Sequence, residues 1–146
     1  MTPHETFRKG LEAINNHDAR AFAAVYAEGA IIHDPQYTER LRGREAIERD
    51  MANFLITFPD FRAEERTFFA SENRYAAECT CTGTHEGELN NPDGDNIPAT
   101  GKQVMMDMAL FAQVNDLGEL VEEHRYYDIA TMLKQMGIGT LKGAAM

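Results

Sequence analysis

Several things are scarce in this 146-residue chain. It contains one serine, Ser71, and two cysteines. The serine lies in the turn signal Ser71-Glu72-Asn73, outside any Gly-x-Ser-x-Gly elbow, which removes a serine hydrolase. Cys79 and Cys81 stand two apart in a strand-like run where a bridge would be strained, so they read as free thiols in a reducing compartment, the cytoplasm. Basic residues are few: 14 Lys plus Arg against 24 Asp plus Glu give a formal charge of −10. Such a field repels a phosphate backbone, so a nucleic-acid partner is excluded. No apolar run is long enough to span a bilayer, and Met1-Thr2-Pro3-His4-Glu5 lacks the basic and apolar parts of a secretion signal. Gly137-Ile138-Gly139 has neither the strand before it nor the helix after it that a dinucleotide site needs. No His-x-His or His-Glu-x-x-His spacing arranges metal ligands, so neither a metal nor any other cofactor is expected.

What is present fits one globular domain, placed at residues 1–138, followed by a flexible Gly/Ala tail at 139–146. Phe7, Leu11 and Ile14 recur at helical spacing up to Asn15-Asn16-His17. Asp18 can cap a second helix carrying Phe22, Val25 and Tyr26, ended by Gly29. Ala30 to Asp34 reads as a strand stopped by Pro35, and residues 36–42 as a polar connection. A third helix follows Gly43, with Ile47, Met51, Phe54, Leu55 and Phe58 inward until Pro59. From Phe61 the period becomes two, giving strands over Phe61–Ala70, Arg74–Leu89, Lys102–Val114 and Leu120–Asp128 in a meander. Ile129 to Met136 closes the domain as a helix. The expected fold is α+β: a cone-shaped, curved antiparallel sheet wrapped around three to four helices. Both faces of Val104–Val114 are apolar, and a face that the domain's own helices do not cover predicts a homodimer through the sheet.

Strand alternation selects the residues that could do chemistry. Ala77, Cys79, Cys81, Gly83 and His85 share one face, so His85 points inward among small residues. If Leu120 is core, Glu122, His124, Tyr126 and Asp128 line up behind it facing the interior. A low-polarity pocket raises a carboxyl pKa and holds imidazole neutral, which suits proton abstraction beside a carbonyl without a cofactor. Asp128 is also an N-cap residue type just before Ile129, and Glu122 and His124 could equally be rim residues in water. His33 and Asp34 are strand neighbours and pair only if the Pro35 turn bends them together. Met105, Met106 and Met108 read as core or dimer packing, and Glu45, Glu48 and Asp50 as a solvated helix face.

The blocks Ile31-Ile32-His33-Asp34-Pro35, Phe58-Pro59-Asp60-Phe61, Gly83-Thr84-His85-Glu86-Gly87, Pro98-Ala99-Thr100-Gly101-Lys102 and Tyr127-Asp128 with Gln135-Met136-Gly137 resemble the SnoaL-like polyketide cyclase family, also called ester cyclases, of the nuclear transport factor two-like superfamily. The resemblance implies a cone-shaped α+β barrel with a deep apolar cavity, usually a dimer, working without a cofactor. In characterised cyclases of that family an aspartate on the last strand is the acid/base and a histidine on the preceding strand lines the pocket. Here His124 or Arg125 falls at the first position, and residues near Leu110 and Phe111 at the second.

Together these observations predict a cofactor-independent acid/base enzyme of cyclase or isomerase type, acting on an apolar, carbonyl-containing small molecule. His124 and Asp128 are the expected acid/base pair, His85 the group that polarises the substrate oxygen, and His33, Glu122 and Tyr126 the lining or support. The alternative is a non-catalytic ligand-binding or dimerisation module on the same fold. A hollow of a few hundred Å³ would favour catalysis.

Overall fold

A computed structural model describes residues 1–90 and 95–138; the expected tail at 139–146 lies outside the described residues. Helix α1 spans Pro3–Asn15 and opens with a capping box, in which Thr2 accepts from the Glu5 N–H while the Glu5 carboxylate accepts from the Thr2 N–H. Helix α2 is only Ala19–Ala23, capped by Asp18. The chain then becomes extended at once: β1 runs from Tyr26 to His33, four residues earlier than the sequence pattern indicates. Val25 and Tyr26 are therefore not a helical face. Tyr26, Ala30 and Ile32 are buried at the even spacing of a strand, and Gly29 lies within it. A short β2, Leu41–Arg42, pairs with Ile31 and Ile32 inside the stretch expected to be a plain connection.

Helix α3, Arg44–Thr57, starts at Gly43, whose φ of 86° suits glycine. Strands β3 (Arg62–Ser71), β4 (Arg74–Thr84), β5 (Gln103–Val114) and β6 (Leu120–Tyr126) follow, and helix α4 (Ile129–Gln135) closes the chain. The sheet order is β2-β1-β6-β5-β4-β3. All neighbours are antiparallel except β1 and β6, which run parallel. The result is the expected α+β architecture. Helices α1 to α3 lie in the concave side, and Phe7, Phe22, Ile47, Met51 and Phe58 meet Ala77, Cys79, Cys81, Val104 and Leu110 in one core.

Two local devices shape the sheet around that core. Strand β6 pairs with β5 only as far as Ala109, which leaves the first half of β5 with an open edge. Gln135 of α4 closes it: its amide donates to the Met105 carbonyl at 2.9 Å and accepts from the Met105 N–H at 2.8 Å. The second device is a bulge. Gln113 pairs with Glu122 but Val114 pairs with Leu120, so Val121 is an extra residue with no partner on β5.

Candidate active site

The Val121 bulge reverses the parity of everything after it. Leu120 is buried as expected, but the buried row that follows is Glu123, Arg125 and Tyr127, not Glu122, His124, Tyr126 and Asp128. The expectation that the latter four face the interior is corrected on this point: strand periodicity cannot count a residue that the partner strand skips. Tyr126 is 56% exposed on the outer face, beside Phe111. Asp128 is exposed and acts as the N-cap of α4, accepting from the Thr131 N–H at 3.1 Å and the Thr131 hydroxyl at 2.7 Å. These bonds hold its carboxyl below the usual range. His33, Glu122 and His124 gather together on the outer face.

Inside, a cavity of about 130 Å³ opens between the helices and the sheet. Its walls are mostly apolar, with Phe54, Phe58, Met106, Met108, Leu110 and Met132 among them. The hollow is smaller than a few hundred Å³, so a larger ligand enters only if the flexible methionine side chains turn aside. Met106 and Met108 thus belong to the cavity wall, whereas Met105 is exposed.

Five polar side chains of the cavity form one connected cluster. Tyr26 donates to Glu123 Oε1 at 2.8 Å, and Arg125 Nε donates to Glu123 Oε2 at 2.6 Å. Arg125 Nη1 reaches across to Asp34 Oδ2 at 3.0 Å, and the Tyr127 hydroxyl donates to Asp34 Oδ1 at 2.6 Å. Asp34 follows the inward parity of Ala30 and Ile32, and its Oδ1 also accepts from the Gln36 N–H, which shapes the turn after β1. The three charged side chains are 5% (Glu123), 7% (Asp34) and 11% (Arg125) exposed. Ions buried this far cost several kcal/mol each unless paired, and the fork geometry of Arg125 between two carboxylates supplies the pairing. Burial opposes the Arg125 charge, but Glu123 above all, with Tyr26 and Asp34, more than reverses this and raises its pKa above the ordinary value. Its Nη2 group has no protein acceptor among the described residues.

Asp50 completes the site from α3. It lines the cavity and is bonded by the Tyr37 hydroxyl, which donates to its Oδ1. Burial raises the Asp50 pKa above the ordinary aspartate value, although the Tyr37 bond and the nearby Arg125 charge pull the other way. Burial and the adjacent carboxylate raise the Tyr37 phenol as well, so it stays protonated as a donor. Asp34 and Glu123 have protein donors on both oxygens, whereas Asp50 is held at one. It is the cavity carboxylate with spare acceptor capacity and a raised proton affinity.

His85 faces inward as its strand parity predicts and is completely buried, but it does not line the cavity. Its ring packs on Phe58, and Nδ1 meets the Thr100 hydroxyl at 2.9 Å and accepts from the Thr100 N–H at 3.3 Å. Burial lowers its pKa, so the imidazole is neutral near pH 7. Its position ties the loop before β5 to the end of β4 and does not fit the role of touching a substrate oxygen. Cys79 and Cys81 are free, buried and on the cavity wall, with burial pushing their pKa values up to about 11 and about 12. Neither is an activated nucleophile.

The curved six-stranded sheet and its helices enclose an apolar hollow that holds buried carboxylates, phenols and a guanidinium. Residues 5–136 match the SnoaL-like polyketide cyclase family, and the chain belongs to it. Among solved structures, IdmH, a candidate polyketide cyclase from Streptomyces antibioticus, is similar at 27% identity and TM-score 0.75, over 94% of this chain and 100% of that one. AclR, a candidate hydroxylase from Streptomyces galilaeus, shares the fold at 21% identity and TM-score 0.76, over 92% and 95%. A SnoaL-like protein from Jannaschia sp. CCS1 does so at 14% identity and TM-score 0.78, over 92% and 90%. No curated protein matches the sequence. Among the described residues, no helix is long and apolar enough to cross a membrane.

Proposed function

We propose that this protein is a cofactor-independent acid/base enzyme of cyclase or isomerase type, acting on a compact, apolar, carbonyl-containing small molecule bound in the cavity. The observation that carries this reading is Asp50: a carboxyl with raised proton affinity, one oxygen held by Tyr37, on the wall of an apolar hollow that also contains a guanidinium. In this reading Asp50 removes a proton from the carbon next to the substrate carbonyl. The charge that develops on the oxygen is met by Arg125 through its uncommitted Nη2 donors, and protonated Asp50 returns the proton elsewhere on the product. Asp34 and Glu123 are positioning residues that fix the Arg125 fork, supported by Tyr127 and Tyr26. The two unbridged thiols fit a reducing, cytoplasmic setting.

Incubation with a panel of aromatic polyketide-like and steroid-like ketones, with mass detection of bound and altered species, tests the proposal. A product formed by wild type and not by Asp50→Asn supports it. Ligand retained without chemical change across the panel would point instead to a binding module.

The protein is further proposed to pair with a second copy through the outer sheet face. Phe69, Ala76 and Phe111 lie in one row across β3, β4 and β5. Phe69, Met105, Phe111 and Tyr126 are each more than half exposed there. An apolar sheet surface of this kind is costly in water and usually meets another subunit.

A further inference from the structure

We propose that His33, Glu122 and His124 form a binding site for a divalent transition metal of the Zn²⁺ type on the outer face of the sheet, opposite the cavity. The site arises from strand pairing rather than from a local motif. Strands β1 and β6 run parallel with His33 directly beside His124, and Glu122 lies two residues before His124 on the same face. The two imidazoles stack at 4.0 Å with planes 6° apart. Both turn Nε2 toward one carboxylate oxygen, Glu122 Oε2, at 2.9 Å from His33 and 3.5 Å from His124. One potential ligand atom from each residue lies within 4.8 Å of the other two.

The donor chemistry selects the metal. Two imidazole nitrogens and one carboxylate oxygen are the ligands of open zinc sites, in which a water takes the fourth tetrahedral position. Without metal, His33 Nε2 is bonded to Glu122 Oε2 at 2.9 Å while His124 Nε2 lies 3.5 Å from the same oxygen. A cation bonded at about 2.0–2.1 Å would draw the three atoms to tetrahedral spacing as the stacked imidazoles turn out of parallel. Exposure is suitable: the three side chains are 31%, 43% and 41% accessible, so an ion reaches them without any opening of the fold. The net charge of −10 favours a cation at long range. The residues that follow the two histidines, Asp34 and Arg125, form the inner ion pair on the other face. A second hollow of about 250 Å³ is lined by His33 and His124 together with Asp34, Tyr37 and Arg125, and the test of the metal site does not depend on turnover.

Chelator-treated protein is titrated with Zn²⁺ by calorimetry and with Co²⁺ by visible absorption. The expected result is one equivalent per chain, with the intense d–d bands of four-coordinate cobalt. His33→Ala and His124→Ala should each weaken binding by about 100-fold or more, and Glu122→Gln, which keeps the side chain's shape, should also weaken it. His4→Ala and His17→Ala should leave it unchanged. Thermal unfolding of each variant without metal confirms that it is folded. Absence of saturable uptake by wild type overturns the proposal, as does uptake that survives in the His33→Ala/His124→Ala double variant.

Discussion

Asp50 shows how a residue can be legible and still be overlooked. It lies three residues after Ile47 and four before Phe54, within the inward stripe of α3, yet as one of several acids on that helix it reads as part of the wet face. The stripe is the better guide, because a carboxylate beside Ile47, Met51 and Phe54 is half-buried and faces the cavity. Its elevated proton affinity has consequences of definite sign. Activity that needs the carboxylate should rise with pH, with a midpoint above the ordinary aspartate range. Turnover should drop by about 100-fold or more in Asp50→Asn, measured on any substrate the panel reveals. Because the folded state holds the Asp50 proton more tightly than the unfolded chain, stability from this group is greatest at low pH and is lost as pH rises through its folded pKa. Asp50→Asn should therefore melt at a higher temperature than wild type at pH 7, with the gain shrinking toward pH 4. His85 acts in the opposite sense. Its lowered pKa means the unfolded chain takes up a proton first, so stability falls as pH drops below about 6.5. His85→Gln should flatten that slope in urea titrations at pH 5 to 7.

At the scale of elements, periodicity recovered α1, α3 and α4 and the strands β3 to β6. It failed where a single residue changes the count. Nothing in Leu120-Val121-Glu122-Glu123 announces that Val121 bulges, since its neighbours on either side suit a strand equally well. The decision is made by β1 and β5, on which Leu120 and the later Arg125 must both turn inward. The early start of β1 has a similar cause: the pairing of Tyr26 with Leu120 overrides the helical spacing of Phe22, Val25 and Tyr26. Asp128 separates two readings directly. As an exposed N-cap, its replacement in Asp128→Ala should lower the melting temperature and leave turnover unchanged. Because its pKa is depressed, the cap's contribution should fade as pH falls below about 4. Gly87 is a contact between elements: a Cβ there would lie 2.0 Å from the Ile56 carbonyl at the end of α3. Gly87→Ala should cost about 1–3 kcal/mol in chemical denaturation by forcing that helix end away from β4.

For the molecule as a whole, the inward and outward faces of one sheet divide the work. The inner face holds a paired ionic cluster whose loss of a single member is costly: Arg125→Met strands two buried carboxylates and should destabilise the fold by about 3–5 kcal/mol. The outer face carries the apolar row and the histidine pair. If that row is the pairing surface, Phe111→Glu should convert a dimer to a monomer in sedimentation velocity while leaving the melting of the monomer cooperative. Acid/base chemistry proposed for the cavity side of β6 and α3 can be read by deuterium wash-in: apolar ketones are incubated with protein in D₂O, and mass spectrometry follows exchange at the carbon beside the carbonyl. Exchange is expected with wild type, His124→Ala and Asp128→Ala, and none with Asp50→Asn. Exchange that persists in Asp50→Asn but disappears in His124→Ala would place the chemistry on the outer face instead.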